Sequence, residues 1–341
     1  MFANSLSFGA IFTMIILRFL ALPRLHRYKL LLQLFKAVGW NFSDKPGKDI
    51  PFDEAFNALG IKFDVARIPR SESTVENRPD KKDNIVSLLR EIIATGTFFH
   101  YQAEVVRGKT QFMEKQIFGR AARAVVRVFN RKHECPDLTP LDRVDLEWII
   151  NWISSAHPRR ITPEDNQPPV LVFTDGACEF ESSELVVTCG AMLYEPGADC
   201  IHCFGFKVND VLVSEWLEEG KRQLVTEAEL LPVLIVRKTW AGMLKNKRTI
   251  NFIDSNPALF SCIKGSSDSE NCNNIVKAIS EAEVNLCLWP WYSRVPSLSN
   301  CADWPSRLKK MPSLWNGLRV IEYDATQPTT LRRGRWQIEN E

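Results

Sequence analysis

The spacing of apolar residues changes from helical to strand-like at one point of this 341-residue chain. From Asn84 to about Asn130 apolar residues recur every three or four positions, as in amphipathic helices. Between His157 and Pro169 the chain is polar and contains four prolines, which is typical of a domain boundary. Beyond Pro169, short apolar runs separated by turn residues are typical of strands. We therefore expect two regions of different architecture.

The region after this boundary predicts a sheet covered by helices. Three consecutive strand-like runs, PVLVFTD, LVVTCGAMLY and CIHCFGFKV, precede a helical stretch from about Arg222 to Leu244. The run TINFID, a helix around Asn274 to Ala282, the run VNLCLWPW and a short helix from about Ala302 follow. This order indicates an α/β (α+β) fold, a mixed five-stranded sheet with flanking helices. No fold is assigned to the tail after Met311.

The region before the boundary is predicted to be mostly helical. Leu30 to Asp64 predicts a helix followed by a strand or hairpin, and Ala66 to Lys82 predicts a loop. Helices are expected to break near Gly96 and at Arg107-Gly108, and a capped helix is expected to begin at Thr139-Pro140. Five domains are predicted: an N-terminal apolar remnant (1–29), a helical region (30–133), a helix with a linker (134–167), a sheet domain (168–311) and a tail (312–341).

Four acidic residues are placed where they can converge. Asp175 and Asp254 each follow a buried-type strand, Glu229 lies near the beginning of the intervening helix, and Asp303 begins the last helix. Each acid alone fits a structural role as a turn residue, a first-turn acid or a helix cap. Together they resemble a two-Mg²⁺ site, because paired cations about 4 Å apart need several carboxylate oxygens. The set therefore favours a metal centre.

The motifs around these acids resemble type 1 ribonuclease H. FTDGACE with CGAMLY resembles its first two strands, TEAELLPVL its acidic helix and FIDSNPAL its third acidic motif. RVPSLSNCADWPSR resembles the last motif of the ribonuclease H domains attached to reverse transcriptases of tyrosine-recombinase (DIRS-like) retroelements. The resemblance implies Asp175, Glu229, Asp254 and Asp303 as catalytic residues and ligands of two Mg²⁺ ions, with Mn²⁺ as a substitute. Glu227 is the alternative if the helix register differs.

The last motif departs from the family in one respect. Many members place a histidine shortly before the final aspartate, but this chain has no histidine after His202. Slow turnover is therefore expected. Arg294 and Ser297 precede the motif closely enough to contact a substrate phosphate, and a solvated loop is the alternative for them.

The upstream region resembles the palm end and thumb of a retroelement reverse transcriptase. FKAVGW, FDEAFNALGIKFDV and RGKTQFMEKQIFGR carry this resemblance. The family binds its polymerase metals with adjacent aspartates, and no Asp-Asp pair occurs in this chain. Reverse-transcriptase activity is therefore not expected. One face of a predicted helix carries four arginines, Arg120, Arg123, Arg127 and Arg131. This face is predicted to bind the phosphates of a nucleic-acid duplex, and a solvated helix face is the alternative.

Composition limits the other possibilities. The formal net charge is +2, so only local charge clusters are informative. The nine cysteines, with a single CxxC at Cys200 and Cys203, favour a reducing, intracellular compartment and a strand over a zinc site. The apolar segment from Leu6 to Leu22 is interrupted by Arg18, and no membrane partner is expected.

These observations predict a retroelement-derived fragment that binds nucleic acid and cleaves RNA in RNA–DNA hybrids. Other retroelement polyprotein segments are its expected partners. Two alternatives stay open: a catalytically inactive nucleic-acid-binding relic, and a DNA exonuclease or strand transferase with the same fold.

Overall fold

The structure, a computed structural model, describes residues 54–58, 60–66, 73–114, 123, 128–129, 135–161, 167–181, 184–218, 220, 223–328 and 331. The chain divides into two compact units. One comprises Met1–Glu76 with Arg160–Asp165, and the other comprises Asn77–Arg159 with Asn166–Glu341. The domain boundaries expected from the sequence stay predictions.

The first unit contains a four-stranded sheet. Its strands follow in the order β1 to β4, at Ala55–Ala58, Ile61–Asp64, Ser73–Asn77 and Arg159–Ile161. The first two strands form an antiparallel hairpin, in which the rings of Phe56 and Phe63 stack at 5.2 Å. The predicted hairpin is confirmed, whereas the N-terminal helix expected before it lies outside the described residues.

Among the described residues, helices α1 (Pro79–Thr95), α2 (His100–Met113) and α3 (Pro140–Ser155) precede the sheet of the second unit. Helix α1 ends at Gly96, whose φ of +75° closes the helix in the left-handed conformation. Helix α3 begins as predicted, because the Thr139 side chain accepts a hydrogen bond from the Asp142 N–H and Pro140 occupies the first turn. Buried Asp145 of α3 pairs with buried Lys277, which ties this helical layer to the sheet region.

The sheet of the second unit has seven strands in the order β10-β11-β7-β6-β5-β8-β9. They comprise β5 (Val170–Glu181), β6 (Glu184–Tyr194), β7 (Cys200–Lys207), β8 (Arg248–Ile253), β9 (Trp289–Arg294), β10 (Leu314–Trp315) and β11 (Leu318–Glu322). Strands β5, β6 and β7 form an antiparallel meander, and β8 and β9 continue the sheet parallel to β5. The predicted fold class, a mixed sheet with flanking helices, is confirmed.

Six helices accompany this sheet. They are α4 (Asp210–Leu217), α5 (Val225–Thr239), α6 (Ala241–Leu244), α7 (Asn256–Lys264), α8 (Glu270–Asn285) and α9 (Asp303–Ser306). The main hydrophobic core lies between one sheet face and helices α5 and α8, with Val172, Leu231, Ile235 and Ile275 fully buried. Burial of these apolar side chains at about 25 cal/mol per Å² is the principal stabilising contribution.

The structure corrects several expectations. The tail contributes β10 and β11, and β11 pairs with β7 in parallel, so the sheet has two more strands than the five predicted. The expected loop from Ala66 to Lys82 contains β3 and the beginning of α1, because Pro79 is compatible with a first helical turn. Helix α2 continues through Arg107 and Gly108, where the burial of Val106 and Thr110 outweighs the helix propensity of glycine.

Two expectations concern membrane insertion and the cysteines. No helix among the described residues is long and apolar enough to cross a bilayer, and the segment from Leu6 to Leu22 lies outside those residues. All nine cysteines are free thiols. Cys200 and Cys203 lie in β7, which confirms the strand predicted for the CxxC sequence.

Candidate metal centre

Two of the predicted acids lie at the same edge of the sheet. Strands β5 and β8 are parallel, and Phe173 pairs with Phe252 in their register. Asp175 and Asp254 each lie two residues beyond these phenylalanines, so both carboxyl groups follow the carboxyl-terminal end of the paired segment. The phenylalanine rings stack at 4.6 Å beneath them. Alternation along β5 places Asp175 on the same face as Phe173, whereas Asp254 directly follows the end of β8.

The third acid reaches this edge because α5 approaches β5 unusually closely. A Cβ atom built on Gly176 would lie 2.2 Å from the carbonyl oxygen of Ala228, which is closer than any side chain permits. Only glycine therefore allows this contact between helix and strand backbones. Glu229 follows Ala228 directly, so the contact brings its carboxyl group next to Asp175.

The three carboxyl groups form a compact acidic cluster. Ligand atoms of Asp175, Glu229 and Asp254 all lie within 4.8 Å of one another. Asp175 and Glu229 are buried, with 7% and 6% of their surface exposed. Neither Oε2 of Glu229 nor Oδ1 of Asp254 has a hydrogen-bond partner within the described part of the chain, although both atoms are buried. Buried carboxylate oxygens without donors fit a divalent cation, since such oxygens are the ligands that Mg²⁺ and Mn²⁺ prefer.

The electrostatics of the cluster indicate the same requirement for positive charge. Burial, together with the nearby charges of Asp254 and Asp175, raises the pKa of Glu229 to about 9. Burial also raises the pKa of Asp175 to about 6, an effect opposed by a hydrogen bond from Ser306 and reinforced by Asp254 and Asp303. The protein alone therefore keeps Glu229 protonated at neutral pH, where Asp175 is already largely ionised, and a cation would be needed to ionise the whole cluster.

Asp175 is also held by residues of the last motif. The Ser306 hydroxyl donates to Oδ2 of Asp175, and the Asn300 amide lies 3.4 Å from Oδ1. Asn300 is anchored by a second hydrogen bond, in which its Nδ2 donates to the Thr174 carbonyl at 3.0 Å. Neither Asn300 nor Ser306 was predicted from the sequence as a site residue, although both lie in the motif RVPSLSNCADWPSR.

The fourth predicted ligand, Asp303, lies beside the cluster and outside its 4.8 Å limit. Its Oδ1 accepts a hydrogen bond from Arg307 Nε at 2.8 Å, and Arg307 also contacts Glu179 at 3.4 Å. The two side chains of the Asp303–Arg307 pair are about half-exposed, so solvent screens their attraction. The role of Asp303 as a metal ligand stays a prediction.

Glu227, the alternative to Glu229, does not belong to the acidic cluster. Glu227 lies on the same helix as Glu229 and is 1% exposed, but its Oε1 accepts a hydrogen bond from Ser269 at 3.3 Å. It lines a cavity of about 510 Å³ together with Thr226, Pro257, Phe260 and Lys264. The helix register therefore places Glu229 in the acidic cluster.

Three of the six residues predicted to contact nucleic acid, Arg123, Arg294 and Ser297, lie within the described part of the chain. Arg294 ends β9 next to Asp254, since its register partner is Ile253, and both Arg294 and Ser297 are exposed. Arg123 lies 3.5 Å from the buried Glu114 carboxyl group. Arg120, Arg127 and Arg131 lie outside the described residues, so the proposed stripe stays a prediction.

Comparison with known proteins gives limited similarity. No protein-family model matches the chain, and no curated protein matches it. Among solved structures, RNase H1 from the halophilic archaeon Halobacterium salinarum is 14% identical to this chain, with a TM-score of 0.31. The match covers 40% of this chain and 94% of that chain. The N-terminal RNase H domain of a Mycobacterium tuberculosis protein is 12% identical to this chain, with a TM-score of 0.29. That match covers 40% of this chain and 90% of that chain.

Proposed function

We propose that this chain is a ribonuclease H-type endonuclease that cleaves the RNA strand of RNA–DNA hybrids. The observation that carries the proposal is the acidic cluster, in which Asp175, Glu229 and Asp254 converge at the edge of a mixed sheet with buried oxygens that lack donors. Buried carboxyl groups at this separation repel one another unless they are protonated or share a cation. The cluster is therefore better suited to metal binding than to a structural role.

We assign two Mg²⁺ ions to this centre, with Mn²⁺ as a substitute. Asp175, Glu229 and Asp254 would hold the first ion, and Asp303, after release from Arg307, would complete the second position. Bound cations of this kind activate water and neutralise the charge that develops on a phosphodiester, leaving 3′-hydroxyl and 5′-phosphate ends. Within the described residues, Oε2 of Glu229 and Oδ1 of Asp254 accept no hydrogen bond and would be available to these ions.

The substrate side of the proposal depends on the basic residues. Arg294 is exposed at the end of β9, and its register partner in β8 is Ile253, the residue before Asp254. A substrate phosphate bound by Arg294 could therefore lie beside the acidic cluster. Arginine neutralises phosphates without reading sequence, so contact with Arg294 and Ser297 predicts sequence-independent binding. The motif resemblance supports a retroelement origin and an RNA–DNA hybrid as substrate, with other polyprotein segments as partners.

The decisive experiment is cleavage of a labelled RNA–DNA hybrid by the purified full chain. We expect Mg²⁺-dependent cleavage that disappears in Asp254→Asn and persists in Asp268→Asn, a control acid that is exposed and lies outside the cluster. Folded protein that leaves the hybrid intact with both Mg²⁺ and Mn²⁺ would contradict the proposal. Cleavage of duplex DNA but not of the hybrid would instead favour the exonuclease or transferase alternative.

Two further measurements separate the remaining alternatives. An inactive relic would bind hybrid yet show no Mg²⁺-induced rise in melting temperature, whereas a working site is stabilised by its metal. Primer extension on an RNA template should yield no product, because the chain lacks the adjacent aspartates that the polymerase family uses. Synthesis by this chain would refute that expectation.

A further inference from the structure

The carboxyl group of Asp175 contacts two donors of the last motif, Ser306 and Asn300. We infer that Ser306 is a positioning residue: its hydroxyl, supported by Asn300, fixes the Asp175 carboxylate so that one oxygen stays directed at the cation. This inference rests on the metal site proposed above and assigns a role to a residue outside the acidic set.

The hydroxyl of Ser306 is directed to this carboxylate by its surroundings. Ser306 is fully buried, with 0% exposure, so water does not compete for its proton. Its Oγ lies within hydrogen-bond distance of Oδ2 of Asp175 and 3.1 Å from the carbonyl oxygen of Asp303. A hydroxyl has one proton, and an ionised carboxylate accepts it more strongly than a backbone carbonyl does. Asp175 is therefore the preferred acceptor.

The two oxygens of Asp175 consequently have different roles. Oδ2 is engaged by Ser306. Among the described residues, the hydrogen bond to Oδ1 is the 3.4 Å contact with Asn300, whose amide makes its shorter bond to the Thr174 carbonyl. Oδ1 therefore keeps most of its capacity for a cation. A carboxylate free to rotate would lose this distinction, since either oxygen could then face the cluster.

Helix α9 can hold Ser306 in place because two glycines let its backbone lie directly on the sheet. Asp175 pairs with Gly190, and Gly190 pairs with Gly205, so the three residues form one row across β5, β6 and β7. A Cβ atom on Gly190 would lie 2.2 Å from the Ser306 nitrogen, and one on Gly205 would lie 2.1 Å from the Pro305 oxygen. The backbone that carries the Ser306 hydroxyl therefore packs directly against the sheet and cannot move closer to it.

The test measures metal binding and does not depend on catalysis. The full chain, Ser306→Ala and Ser306→Cys are titrated with Mg²⁺ and Mn²⁺ by calorimetry, and their melting temperatures are recorded in chelator and in saturating metal. Ser261→Ala is the matched control, because Ser261 is also a buried helical serine but donates to the backbone carbonyl of Pro257 at 2.8 Å.

We expect the metal dissociation constant to rise about 10-fold in Ser306→Ala, the lower end of the loss seen when a group supporting a metal ligand is removed. Ser306→Cys, which keeps the size of the side chain but is a weak donor, should also bind more weakly than the original chain. Ser261→Ala should bind metal unchanged. A merely structural role would lower the metal-free melting temperature of Ser306→Ala and leave its metal affinity intact.

The outcomes separate this inference from the proposed function. If the original chain binds metal and both Ser306 variants bind it equally well, Ser306 is not a positioning residue, while the proposed nuclease stands. If Ser306→Ala fails to fold, the affinity of Ser306→Cys decides the question. If the original chain binds neither metal, the proposed metal site itself fails, and the positioning role falls with it.

Discussion

The backbones of Gly176 and Ala228 are in such close contact that a Cβ atom on the glycine would lie 2.2 Å from the Ala228 carbonyl oxygen. Gly176 follows Asp175, and Ala228 precedes Glu229, so this single contact sets the separation of two acids in the cluster. A local sequence feature, the glycine after a strand-ending aspartate, is thereby linked to the geometry of the candidate metal centre.

We predict that Gly176→Ala separates α5 from β5 and damages both stability and metal binding. The added methyl group meets backbone atoms, which cannot rotate away, so the loss should be at least about 1–3 kcal/mol of unfolding free energy. Chemical denaturation and metal titration measure the two effects. Gly108→Ala is the control, because no described residue outside its own stretch of helix lies within 4 Å of the added Cβ, and alanine favours helix α2. Unaltered metal binding in Gly176→Ala would contradict the prediction.

Glu229 and Glu227 provide a matched pair on one helix. Glu229→Gln should abolish the Mg²⁺-induced rise in melting temperature, because an uncharged amide replaces a carboxylate of the cluster. Glu227→Gln should retain that rise, since Glu227 accepts a hydrogen bond from Ser269 and lines a separate cavity. Thermal denaturation with and without Mg²⁺ distinguishes them, and the opposite pattern would show that the helix register is wrong.

The stability of the metal-free protein should fall as the pH rises. The pKa values of Asp175 and Glu229 are raised to about 6 and about 9 in the folded state. The folded state therefore binds these protons more tightly than the unfolded state, so their stabilising effect is complete at low pH. It is lost as the pH passes through those values, at up to about 1.4 kcal/mol per pH unit for each proton.

Melting temperatures in chelator between about pH 5 and about pH 9 test this prediction. Glu229→Gln, which cannot titrate, should show a shallower decline than the original chain. Added Mg²⁺ should stabilise the protein more at high pH, because protons and cations compete for the same oxygens. A melting temperature that is independent of pH in chelator would refute the predicted protonation of the cluster.

A buried charge network beneath β8 and β9 gives a prediction outside the candidate site. Arg237 Nη2 donates to Asn251 at 2.9 Å, to Glu283 at 3.2 Å and to the Tyr292 hydroxyl at 3.1 Å, and the Arg237 side chain is fully buried. Removal of the cation leaves a buried carboxylate without its main counter-charge, so Arg237→Met should cost about 3–5 kcal/mol of unfolding free energy.

Neutralising both partners should recover part of this loss. We expect Arg237→Met combined with Glu283→Gln to be more stable than Arg237→Met alone, because no uncompensated charge remains in the network. Arg319→Met is the control, because its pair with Asp199 is exposed and screened by solvent, so its loss should leave the stability nearly unchanged. Equal stability of the single and double variants in urea denaturation would show that the charge pair is not coupled.

The sequence by itself located the central strands of the large sheet and the acids Asp175 and Asp254, which lie in or directly after two of its strands. Apolar runs with a period of two and turn residues between them specified β5 to β7, and Asp175 and Asp254 were located by following buried-type strands. The last predicted strand, VNLCLWPW, was placed too early because helix α8 continues to Asn285. Helix and strand periods are hard to separate in so short an apolar run.

Only the tertiary structure decided which side chains meet. Gly190 and Gly205 are distant from Ser306 in the sequence, yet they let α9 lie on the sheet and bring Ser306 to Asp175. The pairing of Asp303 with Arg307, and the separate surroundings of Glu227, likewise depend on how helices pack. Local patterns fix backbone conformation through hydrogen bonding and burial, whereas contacts between distant residues depend on close packing that no local pattern records.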